Sequence, residues 1–255
     1  MKKPVILFTM ADKANIPYYK MFLTSLRKFH SEKDLPVVLY TEEQIKTKED
    51  WYRAKPMFAR ELIKEYDLVI GADCDQLVLG NLDHIIKGDD YDVGTVLNIN
   101  RVDPSVYGLI SFGTIQPNEY YNNGLVALRS EKFINHWWNL CTSSHFNRMP
   151  MGEQGFLNVM CHYGDYKVRC FDRFDPIYDI AMWNGLVFKG ESLRAKLEGK
   201  DVVLYPDKDN YPDRRTIIKL WHPAGGNTPN KMNYRLYFDE SMIAYIDGLV
   251  KEDEK

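Results

Sequence analysis

The stretch AKPMFARELIKEYDLVIGADCDQLVLGN, residues Ala54 to Asn81, decides the architecture. Met57, Leu62 and Ile63 lie on one face at helical spacing, so the spacing predicts a helix over Ala54–Tyr66. A near-continuous apolar run, Asp67–Ala72, follows and reads as a strand buried on both faces. The run ends in two carboxylates one residue apart, Asp73 and Asp75. Ligands of open α/β sheets gather at the carboxyl ends of the strands. Residues two apart in extended chain point to the same side. Carboxylates converging there repel unless a cation or a shared proton intervenes. A metal, an acid/base pair and a polar turn are therefore the three readings of D-x-D.

Working outward, Val5–Thr9 is a short apolar run that reads as a first strand. Ile16–His30 carries apolar residues at helical spacing, with Pro17 in its first turn. Leu35–Tyr40 reads as a second strand. Strand, helix, strand, helix, strand is the order of a parallel sheet with helices on its faces. The second half is mixed. Strands are expected at Asp92–Asn98, Gly124–Leu128, Tyr166–Cys170, Val202–Tyr205 and Ile217–Leu220. Helices are expected at Glu131–Leu140 and Glu153–His162. Met232–Lys251 reads as a closing helix that buries Met242, Ile243, Ile246 and Leu249.

The 255 residues suit one α/β domain, and no linker or repeat divides them. A net charge of -3 argues against a nucleic-acid partner. No run approaches the ~18 apolar residues of a spanning helix. The basic start MKK is followed by too short an apolar run for a signal core, so a cytoplasmic chain is expected. Cys74, Cys141, Cys161 and Cys170 form no CxxC pair and read as free buried thiols.

The segment around D-x-D resembles the metal-site region of glycosyltransferase family 8, the glycogenin-like and bacterial galactosyltransferase-like enzymes. Tyr66, Asp67, Val69, Asp73, Asp75, Leu77, Val78, Leu79, Gly80, Leu82 and Asp83 match its pattern. Gln76 stands where the family usually has Thr. Further segments follow in family order: VILFTMADKANIPYYKMFLTSLRKF (Val5–Phe29), YNNGLVAL (Tyr121–Leu128), GEQGFLN (Gly152–Asn158) and KLWHPAGG (Lys219–Gly226). The resemblance spans about residues 4–232. It implies one GT-A-type α/β domain over residues 1–255. Residues 1–100 would form a Rossmann-like nucleotide-binding half, and residues 101–255 a mixed-sheet half for donor sugar and acceptor.

The resemblance also implies a function: transfer of a sugar from a nucleotide-diphosphate donor, UDP-linked, to a glycan or other hydroxyl acceptor, with retention. Mn2+ or Mg2+ would be held by Asp73, Asp75 and His222, against the plainer reading of His222 as a loop histidine. Oxygen ligands and neutral imidazole suit such ions. Thr9, Met10 and Asp12, at the end of the first strand, would meet base or ribose, with Ala72 and Cys74 beside them. Arg53 and Lys55 either touch the donor or are solvated helix residues. Asn122, Asn123, Glu153 and Gln154 would face the sugar, with Gln154 near the reactive face. Gly225 and Gly226 would admit the diphosphate, and Lys231 is the candidate phosphate lysine. Here the chain departs from the family, because GGNTPNKMNY replaces a compact Gly-x-x-Lys segment. Trp183 and Trp221 are either core or sugar-stacking walls.

Other classes fit less well. A D-x-D phosphatase carries its motif on the first strand. A nucleotidyltransferase needs a Gly-rich basic loop there, which FTMADKANIPYY lacks. An inactive binding domain of the same fold is the remaining alternative.

Overall fold

The computed structural model describes residues 2–88, 90–97, 115, 119–149, 151–171, 195–205, 215–222, 233–236 and 238–251. Among these the elements run β1 Lys3–Met10, α1 Ile16–Arg27, β2 Val37–Tyr40, α2 Lys48–Trp51, α3 Ala54–Leu62, β3 Tyr66–Asp73, β4 Leu77–Val78, α4 Asp83–Lys87 and β5 Val93–Leu97. They continue with β6 Tyr121–Leu128, α5 Glu131–Cys141, α6 Glu153–Tyr163, β7 Val168–Cys170, β8 Ala195–Glu198, β9 Asp201–Leu204, β10 Thr216–Ile218, β11 Leu220–Trp221 and α7 Glu240–Val250.

The central sheet has six strands in the order β2-β1-β3-β6-β5-β7. β1 runs parallel to β2 and β3, β5 runs parallel to β7, and β6 is antiparallel to both of its neighbours. The first half is thus parallel and the second mixed, as the apolar runs indicate. β3 is buried from Leu68 to Ala72 because apolar clusters cover both faces. Phe58, Val69, Phe133, Trp137 and Phe156 lie in one cluster, and Leu7, Phe22, Leu26 and Ile70 in the other. At about 25 cal/mol per Å2 these runs supply the main driving force for the layering.

A three-stranded antiparallel sheet, β10-β9-β8, and a short ladder, β11-β4, complete the fold. The two-residue turn Gly199–Lys200 joins β8 to β9, with Gly199 at φ 63°. Glycine takes that conformation without strain.

The closing helix differs from the reading above. It begins at Glu240, because the Asp239 carboxylate accepts a hydrogen bond from Met242 N at 2.9 Å and caps it there. A 3-10 turn, Tyr234–Leu236, lies within the segment expected to be helical. Met242, Ile246 and Leu249 are buried as expected, and Ile243 is partly buried. The four cysteines are free, but only Cys74 and Cys141 are fully buried. No helix among the described residues is long and apolar enough to cross a membrane.

Candidate metal and sugar site

β3 delivers Asp73 at its last position, and the chain bends before β4. β4 pairs antiparallel with β11, Leu77 opposite Trp221 and Val78 opposite Leu220. Leu79 N donates to Lys219 O at 2.7 Å in the same register. The next step of that ladder sets His222 beside the D-x-D bend. One ligand atom from each of Asp73, Asp75 and His222 lies within 4.8 Å of the others. His222 Nε2 is 3.5 Å from Asp73 Oδ2 and 3.4 Å from Asp75 Oδ1. Neighbouring ligands of an octahedral ion with ~2.1 Å bonds stand about 3 Å apart. Two carboxylate oxygens and one imidazole nitrogen gathered in this way form a donor set that fits a divalent cation.

A fixed cation adjoins the cluster. Lys55, on the first turn of α3, is 2% exposed. Its ammonium pairs with Asp73 Oδ1 at 2.6 Å and donates to the Asn123 carbonyl at 2.5 Å. Of the two readings given to Lys55, the solvated one is corrected: burial of an ammonium requires partners, and these are its partners.

Opposite lies β6, which is irregular where it passes the site. Its register against β5 shifts between Thr95, paired with Val126, and Val96, paired with Asn122. Asn123, Gly124 and Leu125 therefore bulge out of that ladder. Side chains take up the backbone groups so released. Thr95 Oγ1 donates to Asn122 O at 2.7 Å, Gln76 Nε2 to Gly124 O at 2.7 Å, and Asn123 N to Gln154 Oε1 at 3.1 Å. Asn122 Oδ1 accepts from Gly124 N at 2.6 Å.

α6 is docked on the same strand. Asn158, one turn beyond Gln154, accepts from Tyr121 N at 2.6 Å and donates to Tyr121 O and Gln154 O, each at 2.8 Å. This pins the helix start, so Glu153 Oε1 reaches Asn123 Nδ2 at 3.1 Å. Burial raises the Glu153 carboxyl to about 7, against a downward pull from Lys55 and from the Asn123 hydrogen bond. The approach to α6 is strained. Met151 holds φ 62° and is exposed, and Gly152 holds φ 54°.

The sequence-assigned residues thus separate into groups. Asp73, Asp75, His222, Lys55, Asn122, Asn123, Glu153 and Gln154 come together. Met10 and Ala72 stand at the adjoining ends of β1 and β3, with Met10 in register with Asp73 and Thr9 with Ala72. The Thr9 hydroxyl is sealed within the sheet, so in this conformation no base edge reaches it. Asp12 Oδ1 accepts from Asn15 N at 2.9 Å and Asn15 Nδ2 at 2.7 Å, closing the turn into α1. Cys74 is buried between the two aspartates. Arg53 stands apart, its guanidinium 4.4 Å from the Phe146 ring centroid and 3.6 Å from Glu49. Trp221 is fully buried and packs edge-on against Phe238 at 5.4 Å, which makes it core and removes it as a sugar wall. Gly225, Gly226, Lys231 and Trp183 lie outside the described residues.

Sequence reasoning missed the supporting residues Thr95, Asn158, Gln76 and Gly124. Two signals were available. A glycine inside a strand pattern marks a bulge or a close backbone approach. An amide one helical turn after Gln154 shares its face.

A scan against protein-family models and a search of curated proteins find no match to this chain. Solved structures do match. The chain is similar to the glycosyltransferase GlyE of Streptococcus pneumoniae TIGR4 at 14% identity and a TM-score of 0.56, covering 99% of this chain and 61% of that one. It is similar to galactosyltransferase LgtC, solved with donor and acceptor sugar analogs, at 15% identity and a TM-score of 0.56, covering 98% of both chains. Mouse xyloside xylosyltransferase 1 matches at 13% identity and a TM-score of 0.53, over 88% of this chain and 99% of its own. The chain therefore has the GT-A glycosyltransferase fold, a mixed α/β architecture on a mostly parallel central sheet.

Proposed function

We propose that the protein is a metal-dependent glycosyltransferase that moves a sugar from a UDP-sugar to an acceptor hydroxyl with retention. The carrying observation is the convergence of Asp73, Asp75 and His222 beside the bulged, amide-rich strand β6 and the start of α6. The bound divalent ion would supply Lewis-acid neutralisation of the departing diphosphate.

Asn122, Asn123 and Glu153 would offer donors and acceptors to sugar hydroxyls. Near neutral pH the Glu153 carboxyl is poised to give or to take a hydrogen bond. Gln154 presents its oxygen to Asn123 N–H, a group that can only donate, which fixes the amide orientation. A carbonyl oxygen so engaged is a poor nucleophile. A front-face substitution follows: the acceptor oxygen bonds to the anomeric carbon as the sugar–phosphate bond breaks. The acceptor's proton passes to the departing diphosphate oxygen on the same face, so no covalent sugar–enzyme adduct is formed. The structural similarity to LgtC, solved with donor and acceptor sugar analogs, supports the class of ligand.

The test is thermal unfolding with nucleoside diphosphates, each with and without Mn2+. UDP at ~100 times its dissociation constant adds ~2.7 kcal/mol. A rise with UDP that requires Mn2+, lost in Asp73→Asn/Asp75→Asn, is expected, as is Mn2+-dependent release of sugar from a UDP-sugar. A UDP response that persists unchanged in the double variant would sink the metal reading.

A further inference from the structure

Gly124 stands where a side chain cannot. A Cβ built on it would lie 2.6 Å from His222 Cε1, 2.7 Å from His222 Nδ1 and 2.7 Å from Asn122 Oδ1. Real Cβ atoms do not approach other atoms so closely. The Cε1–Nδ1 edge of the imidazole therefore rests against the backbone of the β6 bulge at Gly124. Its freedom elsewhere is small, because His222 is 3% exposed and follows the fully buried Trp221.

Gly124 is itself held on two sides. Its N–H donates to Asn122 Oδ1 at 2.6 Å, and its carbonyl accepts from Gln76 Nε2 at 2.7 Å. Gln76 is fully buried and follows Asp75 directly in the chain. One amide side chain thus ties the loop carrying two carboxylates to the strand on which the third ligand rests. The bulge leaves the Gly124 carbonyl unpaired toward β5, and Gln76 fills that need from the metal loop.

We propose that Gly124 and Gln76 are positioning residues of the metal site: Gly124 seats the His222 ring, and Gln76 locks that seat to the D-x-D loop. The proposal rests on the metal reading above. It adds two residues that touch neither ion nor sugar yet set the distance from His222 Nε2 to both carboxylates. Partners that orient metal ligands typically change metal affinity about 10–100-fold when removed.

The experiment titrates the chelator-stripped 255-residue chain with Mn2+ alone and follows free Mn2+ by electron paramagnetic resonance. Wild type, Gly124→Ala and Gln76→Leu are compared, with unfolding midpoints measured in chelator and in Mn2+. The expected result is Mn2+ binding weakened about 10-fold or more by Gly124→Ala and about 3–10-fold by Gln76→Leu. A merely structural role lowers the midpoints equally with and without Mn2+ and keeps the affinity within about 2-fold of wild type. That outcome overturns the inference. Should Gly124→Ala fail to fold, Gln76→Leu decides by the same criterion. Wild type that takes up no Mn2+ removes the metal reading and this inference with it, a result distinct from wild type and variants that bind alike.

Discussion

Lys55→Met removes the ammonium that meets Asp73 at 2.6 Å while keeping most of the side chain's length. Lys55 is 3% exposed and Asp73 32% exposed at their side chains. Breaking a fully buried pair costs about 3–5 kcal/mol, because the remaining charge is stranded. Asp73 is one-third open to water, so the cost falls to about 2–3 kcal/mol. The Asn123 carbonyl also loses its donor, which keeps the estimate from falling further. For a chain of this size that is roughly a 5–10 °C lower midpoint in chelator. Saturating Mn2+ should shrink the deficit, since a divalent ion at Asp73 replaces the missing cation. The assay is thermal or urea unfolding of wild type and variant in chelator and in Mn2+. A loss under ~0.5 kcal/mol in chelator would refute the argument, since surface-like substitutions stay within that range. So would a deficit unchanged by Mn2+.

Glu153→Gln tests the raised carboxyl. A folded-state value near 7, against 4.5 unperturbed, means the folded protein holds a proton that the unfolded chain releases, so Glu153 erodes stability as pH rises through that window. In chelator the variant should gain ~2–3 kcal/mol at pH 8 and nothing near pH 4.5; an equal gain at both would remove the titration as its cause. Asn158→Ala strips the buried clamp between α6 and Tyr121 and should cost about 2–3 kcal/mol by urea unfolding. It should also weaken sugar-donor binding, whereas donor affinity unchanged in folded variant would detach Asn158 from the site. Met151→Gly relieves a positive φ and should stabilise by up to ~1 kcal/mol while changing donor turnover. A loss of stability would show that the Met151 side chain, not the backbone, maintains the turn.

The parallel half of the fold was legible because β1 and β3 are buried on both faces and read as unbroken apolar runs. β8 was not legible: AKLE, Ala195–Glu198, is too short and too polar, and its strand character comes from pairing with β9 across Gly199–Lys200. The overlong closing helix has a similar origin. Apolar spacing continues upstream of residue 240, and only the Asp239 cap, a hydrogen bond rather than a pattern, marks the start. In the site, Asp73 and Asp75 announce themselves locally. Lys55 did not: whether a lysine on a first helical turn faces water or a carboxylate depends on how α3 packs against β3. Thr9 is the reverse case: its position at a strand end is apt, and its hydroxyl is enclosed.

His222 shows how apolar packing can place a candidate metal ligand. Along β4 and β11 the side chains alternate between two apolar clusters. Leu77 and Trp221 enter one, with Phe238 and Met242, and Val78 and Leu220 enter the other, with Ile70 and Leu125. By the same alternation the next pair, Gln76 and His222, lies on the side of Val78 and Leu220. A slip of one residue would turn every side chain of β11 over, bringing Trp221 toward the carboxylates and His222 into the cluster around Phe238. Burying Trp221 is worth several kcal/mol on its area alone, and such a slip would forfeit it while burying an imidazole among apolar groups. The tryptophan that reads as a candidate sugar wall thus has a different task. Its burial holds the register that carries His222, 147 residues beyond Asp75 in the chain, to the two aspartates.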